Sequence, residues 1–230
     1  MNAIQIALQR HARPEKARIL QHFFKTGKGQ YGEGDVFIGV TVPETRAVAK
    51  KFMHVGFREI EALLNSKVHE HRLCGLLILV LQFQKKPSGE IIDFYLKHFY
   101  AVNNWDLVDL TADKILGAWL ADKDRSLLYK LAKSNTLWER RAAIVATYAF
   151  IRNNDFKDTC TLAEGFLNEK HDLMHKAVGW MLREAGKRDE KQLRMFLERN
   201  AARMPRTMLR YAIERLHDKK KYLAIKNTSR

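Results

Sequence analysis

A chain of 230 residues that is 46% hydrophobic has room for one large domain or two small ones, and 29% charged residues argue for solubility. Only 12 Gly and 4 Pro tell against an all-β or loop-rich chain, and the longest apolar run, Leu73–Leu81, is nine residues, too short to span a bilayer. The formal charge of +15 is concentrated at the end: residues 181–230 hold 15 Lys+Arg against 6 Asp+Glu, which points to a polyanion partner, nucleic acid before an anionic membrane surface.

Helical periodicity runs through almost the whole chain and predicts helices near 3–10, 14–25, 43–53, 57–65, 68–84, 89–100, 104–120, 123–133, 136–152, 155–167, 171–186, 189–200, 206–216 and 218–225. Strand alternation between hairpin turns is not sustained anywhere. Short breaks separate the helices, with Pro14 and Pro43 at helix starts and Asn65-Ser66, Pro87-Ser88-Gly89, Ser134-Asn135 and Asn153-Asn154 between them. None is long enough for a domain linker, so residues 1–230 are expected to form one domain. The N-terminus lacks a basic-then-apolar signal pattern, so a cytoplasmic protein is expected. Cys74 and Cys160 sit in apolar helical contexts and read as reduced core residues, not as a disulfide or metal site.

A repeat underlies this pattern. Helices that open on a polar or basic group and continue with small apolar residues recur with Cys74, Asp109, Ala143, Val178 and Ala212 at matching positions, separated by 35, 34, 35 and 34 residues. Each unit holds about two helices, which predicts an α-solenoid; a compact irregular bundle is the alternative. Asp109 stands where the other repeats have a small residue, and such a broken local rule often marks function.

Three stretches carry candidate chemistry, and three others only look as if they do. In Asn103–Asp109, Trp105 and Asp109 lie four apart on one helix face, at the border of an apolar stripe formed by Val108, Ala112, Ile115 and Trp119. Two readings stand: a surface acid beside a core tryptophan, or a carboxylate whose reach and pKa its neighbours set. Trp180 borders the stripe Met174, Ala177, Val178, Met181, Leu182, Ala185 and is flanked by Lys176, Arg183 and Lys187. That fits either a groove for a polyanion or a rim tryptophan packed on long basic stems. Arg141 projects among Trp138, Val145 and Tyr148, so it pairs with a buried acid or reaches a phosphate. Gly27-Lys28-Gly29-Gln30-Tyr31-Gly32 spells a dinucleotide pattern but follows a helix, so it reads as a flexible basic loop instead. In His69-Glu70-His71 the two imidazoles are two positions apart and face different sides of a helix, so no metal site follows. Lys219-Lys220-Lys221 reads as a solvated helix end.

Trp105-Asp106-Leu107-Val108-Asp109, Trp138-Glu139-Arg140-Arg141-Ala142-Ala143-Ile144 and Lys176-Ala177-Val178-Gly179-Trp180-Met181-Leu182-Arg183-Glu184, in that order and spacing, resemble the AlkD-like family of DNA alkylation repair enzymes, which are DNA glycosylases built from HEAT-like repeats. Weaker similarity runs from about Arg13 to Leu216. The resemblance implies an all-α, curved α-solenoid of HEAT-like repeats that binds duplex DNA in a concave basic face. It implies removal of positively charged N3- and N7-alkylated purines, leaving an abasic site. Asp109 would be the catalytic carboxylate, Trp105 and Trp180 would line the site, and Arg141 and Arg183 would hold the backbone, with Lys176 and Lys187 beside them. No metal, organic cofactor, membrane or obligate protein partner is implied. Similar family members work with the lesion still in the duplex, so a deep base pocket is not required. Departures are Gly39-Val40-Thr41-Val42-Pro43 where familiar members read Gly-Ile-Gln-Thr-Pro, a longer Lys25–Val36 loop, and Asn104 where a second tryptophan sometimes stands. The rival readings are a non-catalytic HEAT-like module that grips DNA or a protein, and a helical-repeat RNA-binding protein.

Overall fold

Helix α1 (Ala3–Gln9) opens on a capping box: the Gln5 backbone N–H donates to the Asn2 side chain at 2.9 Å and the Asn2 N–H donates back to Gln5 Oε1 at 2.8 Å. The structure, a computed structural model, describes residues 1–225; Lys226 and Arg230, part of the basic C-terminal quarter, lie outside the described residues. The chain forms two compact units, residues 1–111 and 112–230.

The first unit continues with α2 (Pro14–Phe23), α3 (Val42–Lys51), α4 (Phe57–Leu64), α5 (His69–Lys85), α6 (Gly89–Lys97), a 3₁₀ turn Phe99–Ala101 and α7 (Trp105–Asp109). Helix α5 is its centre, buried from His69 to Val80 and packed by α3 and α4, which is why its apolar run goes all round the helix. Thr41 and Glu44 cap α3 in a second capping box, with Pro43 in its first turn. Gly39 adopts φ +83°, and a Cβ there would stand 2.2 Å from the Arg13 carbonyl oxygen, so only glycine lets the 37–40 segment pass under the start of α2.

The second unit runs from a π-helical turn Asp113–Gly117 into α8 (Ala118–Leu120), then α9 (Ser126–Ala132), α10 (Leu137–Ala146), α11 (Tyr148–Arg152), α12 (Lys157–Gly165), α13 (Asp172–Arg188), α14 (Glu190–Asn200), α15 (Arg206–Ala212) and α16 (Lys219–Leu223). Helix α13 is central here, flanked by α10, α14 and α15. Close approach of α15 explains Gly179, where a Cβ would meet the Met208 carbonyl at 2.5 Å.

The fold is an all-α helical repeat, as the periodicity predicts. Among the described residues the only β-type pairing is an isolated bridge, Val36 with Val68. Cys74, Ala143, Val178 and Ala212 are buried as the register requires, whereas Asp109 is half-buried. Two long predicted helices are broken. The one over 104–120 stops at Asp109 because the Thr111 hydroxyl donates to the Leu107 carbonyl at 2.6 Å and is held 2.8 Å from Tyr95 Oη. The helix then resumes in π form, with Gly117 N–H donating to Ala112 O. Val108, Ala112 and Ile115 are buried as projected, but Trp119 is half-buried with the Lys123 ammonium 4.3 Å above its ring. The predicted 136–152 helix is likewise interrupted at Thr147, whose hydroxyl donates to the Ile144 carbonyl at 2.7 Å.

Candidate functional site

Helix α7 has five residues, and its first turn is tied down by polar side chains. Asn104 precedes it, fully buried, and accepts from the Trp105 N–H at 2.8 Å. Asp106 is buried, with Oδ1 accepting from Leu107 N–H at 2.9 Å and Oδ2 2.9 Å from His69 Nε2. The other ring nitrogen of His69, Nδ1, lies 3.0 Å from Asp35 Oδ2. Asp35 Oδ1 accepts from Arg72 Nη2 at 2.6 Å and from Asn103 Nδ2 at 3.1 Å. Arg72 spends its remaining donors on the carbonyls of Ser66 and Ala101 and on Asn103. Two carboxylates and two cations are thus mutually satisfied inside the first unit. Burial opposes charge on His69, but the Asp106 and Asp35 carboxylates prevail and hold its pKa at about 9. Asp35 is lowered: desolvation raises it, and His69 and Arg72 outweigh that.

Above this network lies an aromatic pile. His69 stacks on Phe37 (centroids 4.5 Å), Phe37 on Phe24 (4.9 Å) and Phe24 on Trp105 (5.1 Å), while exposed Phe23 meets Trp105 edge-on at 5.8 Å. These rings, with Leu20 and Leu110, wall a cavity of about 460 Å³. Asp109 stands in its wall with Trp105, and Lys16 and Thr41 supply other polar groups. Trp105 and Asp109, singled out in the sequence, are therefore brought to one cavity.

The other sequence candidates belong to the second unit. Trp180 is half-buried, its ring 6.0 Å from that of Tyr148. The stripe beside it is buried as projected. Each of its three basic neighbours meets an acid: Lys176 pairs with Asp172 at 2.8 Å, Lys187 with Glu184 at 2.7 Å, and Arg183 with Glu214 and, at 3.3 Å, with Glu184. Arg141 is buried, and its Nη1 donates to the Leu173 carbonyl, joining α10 to the start of α13.

The sequence matches the family described as DNA alkylation repair enzyme over residues 4–216. The chain belongs to the DNA alkylation repair enzyme family. Among solved structures it resembles a "Predicted DNA alkylation repair enzyme from Enterococcus faecalis", with a TM-score of 0.73 over 90% of this chain and 97% of that one; at 19% identity this is a likeness of fold. No curated protein matches the sequence at a significant level. Family membership gives this DNA alkylation repair enzyme a role in DNA repair, with DNA as its partner.

Residues that sequence reasoning missed in this family member are the buried polar set under α7: Asp35, His69, Arg72 and Asp106. One signal was present. His69-Glu70-His71-Arg72 opens the helix that carries the Leu73–Leu81 run, and charged groups entering a buried helix need partners. The three residues of His69-Glu70-His71 do face different partners: His69 the two aspartates, Glu70 the backbone N–H groups of Ile38, Gly39 and Val40, and His71 the Ser66 hydroxyl at 2.9 Å. Among the described residues no group of His, Cys, Asp and Glu is arranged to hold a metal ion, and no helix is long and apolar enough to cross a membrane. Cys74 is buried and Cys160 partly so; burial pushes their thiols up to about 12 and about 11. The 27–32 stretch follows α2 and folds into turns, Gly32 N–H donating to Lys25 O at 3.1 Å and Gly29 N–H to Glu33 Oε2 at 2.8 Å. Lys219, Lys220 and Lys221 are exposed on α16.

Proposed function

We propose that this enzyme is a DNA glycosylase. It hydrolyses the N-glycosidic bond of positively charged N3- and N7-alkylated purines in duplex DNA and leaves an abasic site. The observation that carries the reading is the setting of Asp109: a half-buried carboxylate in the wall of an aromatic cavity, one helical turn from Trp105.

The chemistry suits those groups. A purine alkylated at N3 or N7 is already cationic and leaves without a strong general acid. As the bond breaks, positive charge develops on the deoxyribose, as in glycoside hydrolysis through an oxocarbenium-like transition state. Asp109 stabilises that charge and orients the attacking water; a fixed carboxylate in a water-poor setting is effective for this. The face of Trp105 favours a cationic nucleoside by cation–π attraction and packs on its sugar, and Trp180 gives the second unit an aromatic face for DNA. Arg141, Arg183, Lys176 and Lys187 hold backbone phosphates, the latter three exchanging Asp172, Glu184 and Glu214 for phosphate oxygens. A non-catalytic DNA-gripping module is the rival, and it gives no reason for a carboxylate in a DNA-facing cavity, where it would repel phosphate.

The test is incubation of the wild-type protein with duplex DNA containing N7-methylguanine, reading free base by chromatography and the abasic site by alkaline strand cleavage. Release of the base with an abasic site is expected. Salt-sensitive binding of that duplex with the base left intact would favour the rival.

A further inference from the structure

We propose that His69 is a positioning residue for this reaction: as an imidazolium clamped between Asp35 and Asp106, it fixes helix α7 and thereby the stations of Asp109 and Trp105. Its functional half rests on the glycosylase reading; the clamp itself stands on geometry.

Both ring nitrogens of His69 face carboxylate oxygens, Nδ1 that of Asp35 at 3.0 Å and Nε2 that of Asp106 at 2.9 Å. An ionised carboxylate only accepts, so each nitrogen must carry a proton. A neutral ring would turn a lone pair on one of the two acids, and at 1% exposure there is no solvent to intervene. The three residues come from separate segments: the loop after α2, the first residue of α5 and the first turn of α7. Asp106 passes the restraint on, since its second oxygen caps Leu107 N–H, and Trp105 and Asp109 lie one residue before and three after it. A five-residue helix has no stability of its own, so its direction is set by such contacts. The same imidazole ring starts the pile Phe37–Phe24–Trp105, so it reaches Trp105 by a second route.

The surroundings make the proton consequential. Arg72 neutralises the far oxygen of Asp35, Asn103 and Asn104 contribute neutral donors, and the neighbours Glu70 and His71 turn away to the 38–40 backbone and to Ser66. With His69 charged, the set Asp35, Asp106, Arg72 and His69 is neutral. Without its proton the set is one charge negative beneath the wall that carries Asp109. The elevated pKa of His69, about 9, places that change above neutral pH.

The experiment follows the His69 ring nitrogens by long-range ¹H–¹⁵N NMR and the Trp105 resonance in 5-fluorotryptophan-labelled protein from pH 6 to 9.5. Single-turnover base release is measured on the same samples, for wild type, Asp106→Asn and His69→Gln. Wild type is expected to show both ring nitrogens protonated at pH 7.5, with the Trp105 resonance and release changing along the His69 titration. Asp106→Asn offers a side chain that can donate as well as accept, so it tolerates a neutral ring. The His69 titration, the Trp105 transition and the alkaline limb should move together to lower pH by a unit or more; the substrate's own ionisation is common to both proteins. Folded His69→Gln should lose tenfold or more in release rate, with its DNA dissociation constant within about twofold of wild type. A singly protonated ring at pH 7.5, or a Trp105 resonance and release limb that stay in place in Asp106→Asn, would overturn the proposal. If wild type releases no base at any pH, the glycosylase reading falls, and the Trp105 resonance alone decides the clamp: movement with His69 supports it, none refutes it.

Discussion

Trp105 lies stacked on Phe24, ring centroids 5.1 Å apart and planes 19° apart, so the tryptophan beside the candidate carboxylate is held by a ring from the end of α2. Phe24 is buried and also stacks on Phe37. Removing it empties the middle of the pile. Phe24→Ala should destabilise the fold by about 3 kcal/mol, the lower end for a buried Phe truncation, and reduce base release in whatever protein remains folded. Urea denaturation at pH 7 checks the first part. A loss well under 1 kcal/mol would mean that Phe24 is not what holds Trp105.

Stability should depend on alkaline pH through His69. Its pKa of about 9 in the fold lies above the ordinary value near 6.5, because the Asp106 and Asp35 carboxylates outweigh burial. The folded protein therefore binds this proton more tightly than the unfolded chain. The contribution is complete below about pH 6.5 and is lost as pH rises through about 9. Its full size is between about 3 and 4 kcal/mol, from the conversion of about 1.4 kcal/mol per pKa unit. Urea midpoints between pH 6 and 9.5 should fall accordingly in wild type and much less in His69→Gln. Parallel curves for the two proteins would remove His69 as the source.

Glu214 is ion-paired to Arg183, so under the proposed function it would compete with phosphate for that guanidinium. Glu214→Gln should release Arg183 Nη1, while Glu184 keeps its contact with the same guanidinium, and tighten binding to undamaged duplex by about twofold, since exposed ion pairs are weak. The dependence of log K on log salt should steepen by about one phosphate contact. Titrations of a fluorescent duplex at several salt concentrations measure both quantities. Weaker binding with an unchanged salt slope would put Arg183 away from the DNA.

The helices and the 34–35-residue register were legible because most of the helices bury one face, which writes a 3.6-residue period into the sequence; α5, buried all round, stands out instead as an apolar run. Cys74, Ala143, Val178 and Ala212 are buried in that register, and Asp109, the residue that breaks it, is half-buried at the cavity. The end of α7 was not legible. It depends on the Thr111 hydroxyl, fixed against Tyr95 from 16 residues away, and periodicity carries no record of such a bond. The network under α7 was hidden for a related reason. Asp35 and Asp106 lie 34 and 37 residues from His69, and nothing local marks either as its partner. Projection recovered the cluster around Trp180 but not its electrostatics, because Glu214, which pairs with Arg183, lies 31 residues on. Thr41, which replaces the glutamine of familiar relatives, acquires a plain role as the N-cap of α3.

The most direct measurement of the central claim is single-turnover release of N7-methylguanine from duplex DNA by wild type and Asp109→Asn side by side, with binding of the same duplex recorded for both. Wild type should release the base and leave an abasic site. Asp109→Asn should bind the duplex at least as tightly, having lost a negative charge, and release base at least 100-fold more slowly, as expected when a preorganised electrostatic stabiliser is removed. Equal release by a folded Asp109→Asn protein would contradict the assignment of the carboxylate.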